Sequence, residues 1–163
     1  TLIACLIPPR AFLIHSAPYL LRVSGSAQSE AYLVGILSSR CLDWYARKYV
    51  ELNLDIHIIK GFPIPRFVPE SGLHSRIVKL AVCLAAPDER FADWAAECGD
   101  SVGSGCTGNS ADQKTELEAL VAHAFGLTRD QLEHLFATFH RGWDYSSELE
   151  AVLQHYEDWS KNE

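Results

Sequence analysis

Arg40, Arg47, Lys48, Lys60 and Arg66 are the side chains whose type and spacing point to a partner. Arg40 and Arg47 stand seven residues apart, on one side of a helix, with Trp44 and Tyr45 between them. A basic stripe with nearby aromatics suits contact with the phosphates of duplex DNA, each contact adding about 0.9 to the salt slope of binding. The competing explanation is a set of solvated charges on the outer face of a core helix.

Other chemistry has less support. Phosphate cradles and cofactor loops leave spaced glycines after a buried strand. The candidate here, Ser101-Val102-Gly103-Ser104-Gly105, follows a helical stretch and reads as a surface loop. The histidines are His15, His57, His74, His123, His134, His140 and His155. Only His134 and His140 are close, and their spacing of six does not place both on one helix face, so no metal site is expected. His123, within Leu120-Val121-Ala122-His123-Ala124-Phe125, reads as a packed or helix-terminal histidine. The acidic residues beyond position 87 spread around helices instead of converging in an oxygen-rich loop. No serine or cysteine stands with a histidine and an acid in a recognisable nucleophile arrangement. Cys5, Cys41, Cys83, Cys98 and Cys106 include no CxxC pair, and the spacing of eight between the last two fits no usual zinc pattern. Reduced thiols of a cytoplasmic protein are expected, with no catalytic, cofactor-binding or metal-ligating residue.

These groups sit on a chain of 163 residues, 48% hydrophobic and 21% charged, long enough to bury a core as one domain or two small ones. The opening run Thr1 to Ile7 is apolar, but no basic run precedes it and Pro8-Pro9 cuts it short, so neither a signal peptide nor a membrane span is expected. A chain that opens on Thr1 in mid-run and has no Met reads as a segment cut from a longer polypeptide. The net charge of −7 argues against a nucleic-acid partner for the chain as a whole. It is unevenly divided, however. Residues 1 to 86 hold nine Lys and Arg against five Asp and Glu, whereas residues 87 to 163 hold five against sixteen, a division that suggests two regions with different partners.

The apolar runs at 1–7, 10–15 and 19–23 read as three strands of a small sheet. A long helix is expected from Ser29 to about Val50, where Leu33, Ile36, Leu37, Leu42, Tyr45, Ala46 and Tyr49 recur at helical spacing. The β-branched stretch from Leu52 to Ile59 reads as a further strand, with Pro63 and Pro65 in an extended exit. Helices follow at 72–86 and 87–98, then a loop near 99–110 that its glycines and serines mark as flexible. Further helices are expected from Asp112 to Phe125, closed by Gly126, and from a cap at Thr128 with Gln131 in the capping-box position. A last helix starts at a cap on Ser146 or Ser147. The fold expected is α+β: a small amino-terminal sheet packed on a long helix, then a mainly helical region. Residues 1–68 would form the first part and 69–163 the second. Trp94, Trp143, Tyr145, Tyr156 and Trp159 fall at helical spacings and read as core or as an interface with another domain.

Two matches carry a family resemblance. Tyr32-Leu33-Val34-Gly35-Ile36-Leu37-Ser38-Ser39-Arg40-Cys41-Leu42-Asp43-Trp44-Tyr45, followed by Leu52-Asn53 and then Ile59-Lys60-Gly61-Phe62-Pro63-Ile64-Pro65, resembles the TaqI-like specificity region at the carboxy end of adenine-specific restriction-modification methyltransferases. Glu116 to Leu132, with Leu120-Val121-Ala122-His123-Ala124-Phe125-Gly126-Leu127-Thr128, resembles the helix pair that closes many such enzymes. The resemblance covers about a third of the chain. It implies a non-catalytic fragment contributing to DNA target recognition. Its partners would be double-stranded DNA and the remainder of the parent chain. That remainder would bind S-adenosylmethionine, methylate adenine N6 and possess a nuclease in some relatives. No catalytic residue carries over, because Ile7-Pro8-Pro9-Arg10 has neither the Asn or Asp before the prolines nor the aromatic after them. Asn53, Lys60, Pro63 and Pro65 match the pattern as architectural positions. The alternative class is a packing module that touches the rest of the enzyme and no DNA.

Overall fold

Ser26 starts the first helix: its hydroxyl accepts from Ser29 N at 3.1 Å and satisfies an amide that the helix itself cannot. From there the computed structural model, which describes residues 2–14, 17–50, 54–103, 109–140 and 142–162, is a succession of helices. They are α1 (Ala27–Leu37), α2 (Arg40–Ala46), α3 (Ile56–Lys60), α4 (Gly72–Ala85), a 3-10 turn at Glu89–Phe91, α5 (Ala92–Glu97), α6 (Ser110–Ala124), α7 (Arg129–Thr138) and α8 (Ser146–Asn162).

No strand occurs among the described residues, which overturns the expected α+β fold with its amino-terminal sheet. The first apolar run alternates in burial but pairs with no second strand among the described residues. Leu2 and Leu6 lie against the helical core, while Ile3 and Ile7 point away from it. Pro8 and Pro9 offer no amide, and Arg10, at φ 64°, turns the chain in the left-handed region that few non-glycine residues adopt. The runs at 10–15 and 19–23 likewise form no ladder; His15 lies outside the described residues. The expected strand from Leu52 is also corrected. Asp55 accepts from His57 N at 3.3 Å and caps the short α3, so a local cap decides the conformation of a β-branched run. The Leu52-Asn53 pair lies outside the described residues.

The expected long helix is two. Ser39 Oγ donates to the Ile36 carbonyl at 2.7 Å and accepts from Leu42 N at 3.3 Å, so one hydroxyl closes α1 and opens α2. Later helices follow the sequence closely. Gly126, at φ 67°, closes α6, with its N–H on the His123 carbonyl and that of Leu127 on Ala122. Thr128 and Gln131 form the expected capping box of α7. α8 begins at Ser146, but the capping carboxylate is Asp144, which accepts from Ser146 N at 2.9 Å.

α1 packs on α4, α4 on α6, and α6 on α8. Gly35 permits the first approach: a Cβ there would lie 3.0 Å from Ile77 Cγ2 and 3.4 Å from Ala81 Cβ. Leu42, Ile77, Leu120 and Leu132 are buried to within 1% of completely, each contributing about 1.5–3 kcal/mol of transfer free energy. No helix among the described residues is long and apolar enough to cross a membrane. Cys5, Cys41 and Cys98 are free thiols, whereas Cys83 is disulfide-bonded, a departure from reduced thiols throughout.

Candidate functional site

Arg40, the first residue of α2, is held from three directions. Its backbone N–H donates to both Glu118 carboxylate oxygens, at 3.0 and 2.9 Å, so a side chain of α6 caps α2. Its guanidinium donates to both oxygens of Glu148 at 2.7 Å. The same group lies over Tyr145, Phe136 and Phe139, 4.5 to 5.2 Å from their ring centroids. Arg47 pairs with Asp43 at 3.1 Å, donates to the Phe139 carbonyl at 3.4 Å and stacks 4.3 Å from the Phe139 ring centroid. Helical spacing therefore brings the two arginines together as expected, but on a shared aromatic ring inside the helical body.

Of the remaining basic candidates, Lys48 is exposed and rests 4.4 Å from the Trp44 ring centroid. Lys60 and Arg66 are exposed and make no ion pair among the described residues. These three stay accessible to a polyanion.

Behind Arg40 opens a cleft of about 410 Å³, bounded in part by Leu2, Ser39, Arg40, Asp43, Glu118 and Glu148. Three carboxylates thus line the cleft beside Arg40, but only that of Glu148 meets its guanidinium. Asp43 is buried and accepts the Leu2 amide at 2.7 Å, which ties the amino-terminal arm to α2. Glu118 is half-buried as a residue, with its carboxyl group turned inward. Withdrawal from water raises the pKa of that carboxyl from 4.5 to about 7, against the lowering effect of the Arg40 N–H bonds and charge; Glu148 and Asp43 raise it further. Sequence reading missed all three acids. The signals available were Asp43 four residues before Arg47 and a lone Glu118 among Leu117, Ala119 and Leu120.

The arrangement can hold or release a proton at Glu118, but it presents no activated nucleophile. Burial pushes the Cys41 thiol well above 9.0 and that of Cys98 to about 11, so both stay protonated at neutral pH. No group of three or more His, Cys, Asp or Glu suited to a metal ion occurs among the described residues. His123 is packed: its ring stacks on Tyr156 at 4.0 Å, and Nε2 sits 2.9 Å from the Tyr156 carbonyl. Among the expected core-or-interface aromatics, Trp94, Tyr145, Tyr156 and Trp159 pack against the core, while Trp143 remains 71% exposed. Comparison with protein-family models, curated proteins and solved structures gave no match to this chain.

Proposed function

We propose that this chain is a non-catalytic carboxy-terminal module of an adenine-N6 restriction-modification DNA methyltransferase, serving target recognition and assembly. The observation that carries the reading is the interlock at Arg40. This residue belongs to the first stretch of family resemblance and Glu118 to the last, and the two are joined by direct hydrogen bonds across 78 residues of sequence. The resembling stretches thus share one packed unit. In this reading the parent enzyme's remaining chain binds S-adenosylmethionine and carries out the chemistry in the cytoplasm. Lys48, Lys60 and Arg66 face the phosphates, while Arg40 and Arg47 hold the scaffold.

Fluorescence anisotropy of a labelled mixed-sequence duplex tests this at roughly 50 and 200 mM salt. Three phosphate contacts give a salt slope of about −2.7, hence roughly fortyfold weaker binding at the higher salt. The triple variant Lys48→Glu/Lys60→Glu/Arg66→Glu should lose the binding. Absence of binding at low salt would favour the second reading, a packing module without DNA contact. The internal commitment of Arg40 and Arg47 favours that reading, since it withdraws two of the five cations from any outer surface.

A further inference from the structure

We infer that the amino-terminal arm is a strap closed over the cleft behind Arg40, and that ionisation of Glu118 releases it. None of the residues assigned to DNA takes part. Leu2, Ala4 and Cys5 form one wall of the cleft, and Glu118 lines it from α6. The remaining walls belong to packed helices and their ends, whereas the arm is held slightly. From Leu2 to Pro8 one hydrogen bond reaches the helical body among the described residues, the Leu2 amide on Asp43 at 2.7 Å. Leu2 and Leu6 add partly buried side chains, while Ile3, Cys5 and Ile7 are exposed.

The charges of the cleft balance only while Glu118 keeps its proton. Asp43 of α2 pairs with Arg47 at 3.1 Å and Glu148 of α8 with Arg40 at 2.7 Å, so each of these anions has its own guanidinium. Glu118 meets the backbone N–H of Arg40 instead, and its ionisation places a third anion in the same cleft. From α4 it is faced by Ala81, Leu84 and Ala85, and from α1 by Val34 and Gly35, none of them charged. Cys41 of α2 and Cys5 of the arm contribute thiols, of which the buried Cys41 stays protonated. Lys114, one turn earlier on α6, is the remaining cation of the cleft and is exposed. An ionised Glu118 therefore draws in water, and water enters by displacing the wall with the fewest attachments.

The coupling has a definite size and sign. With the arm closed, withdrawal from water holds the carboxyl at about 7, against 4.5 in its ordinary environment. Opening becomes about tenfold more favourable per pH unit between those values, up to about 300-fold, and is level above them. The closed arm is thus the low-pH form. One hydrogen bond and two partly buried leucines, opposed by the ordering of the backbone they hold, leave a preference for closure within that range. His74, whose pKa burial lowers, lies against Tyr32 and Phe67 and does not line the cleft.

Fluorescence anisotropy of a pH-insensitive dye on Cys5 tests the release from about pH 4.5 to 8, with circular dichroism on the same samples. Cys5 is exposed, whereas the free thiols of Cys41 and Cys98 are buried, and a Cys5→Ser protein controls the labelling. The anisotropy should fall as pH rises from about 5 to 7 while the helical spectrum holds. Glu118→Gln should keep the closed-arm value throughout. Leu2→Ala weakens the seat of the arm without touching Glu118; a roughly tenfold loss should bring the fall about one pH unit lower. A level native curve, a fall that persists in Glu118→Gln, a fall in step with loss of helix, or a Leu2→Ala curve superimposed on the native one overturns the inference.

Discussion

Replacing Glu118 with Gln separates the charge of this side chain from its capping role. The amide keeps an oxygen for the Arg40 N–H and cannot ionise. In the native protein the carboxyl titrates near 7 when folded and near 4.5 in its ordinary environment. Between those values the folded chain keeps a proton that the unfolded chain has released. Stability therefore falls as pH rises through this window, and the full loss applies above about pH 7. A gap of about 2.5 at 1.36 kcal/mol per pH unit corresponds to about 3 kcal/mol. Urea unfolding followed by circular dichroism should show the two proteins equal near pH 4.5, and Glu118→Gln more stable at pH 8 by about 2–3 kcal/mol. In thermal melts this is roughly 6–10 °C for a chain of this size. His74 works in the opposite direction: burial lowers its pKa below 6.5, so its contribution is present above 6.5 and lost as pH falls. The difference between the variant and native curves removes that effect. Parallel curves from pH 4.5 to 8 would refute the reasoning, because Glu118 would then carry the same charge folded and unfolded.

Other perturbations test the packing around the same helices. Arg40→Ala strips Glu148 of its ion pair and three rings of their cation, and should cost about 2–3 kcal/mol in urea unfolding; Arg40→Lys should recover little of it, lacking the fork that meets both oxygens. Gly35→Val forces side-chain atoms onto Ile77 and should lower stability by about 1–3 kcal/mol, read as a fall in melting temperature. Tyr32→Phe removes a buried hydroxyl that has no hydrogen-bond partner among the described residues, and chemical denaturation should find the variant equal to the native protein or up to about 1 kcal/mol more stable. Thr128→Ala dismantles the capping box of α7 at a cost of about 1 kcal/mol, measurable as a shift in the urea midpoint.

The parts of this fold legible in the sequence are those decided by near neighbours. Thr128 and Gln131, three residues apart, cap α7, and Gly126 closes α6 through residues just before it. Distant partners decide the rest. Spacing placed Arg40 and Arg47 on one side of a helix, but it did not reveal that the side faces Phe139, or that Glu118 and Glu148 approach from 78 and 108 residues away. The apolar repeat continued across Ser38 and Ser39 without interruption, so hydrophobicity gave no warning of the hydroxyl that divides the helix. The failed strands have a similar cause. Residues 2–8 alternate in burial as strand formers do, but a sheet needs a second edge, and none forms among the described residues.

The division at Ser39 gives the chain a rotational joint. α1 is seated mainly on α4 and α2 on α6, with a lighter contact of α1 on α6. In a continuous helix, one inserted residue would swing everything beyond it by about 100° and carry Arg40 away from Glu148. Across this joint an insertion next to Ser38 can be absorbed as a longer turn, with each helix keeping its own seat. The cleft behind Arg40 draws on both helices, with Val34 and Gly35 of α1 beside Arg40 and Asp43 of α2, so such an insertion leaves the cleft intact only while both helices keep their seats.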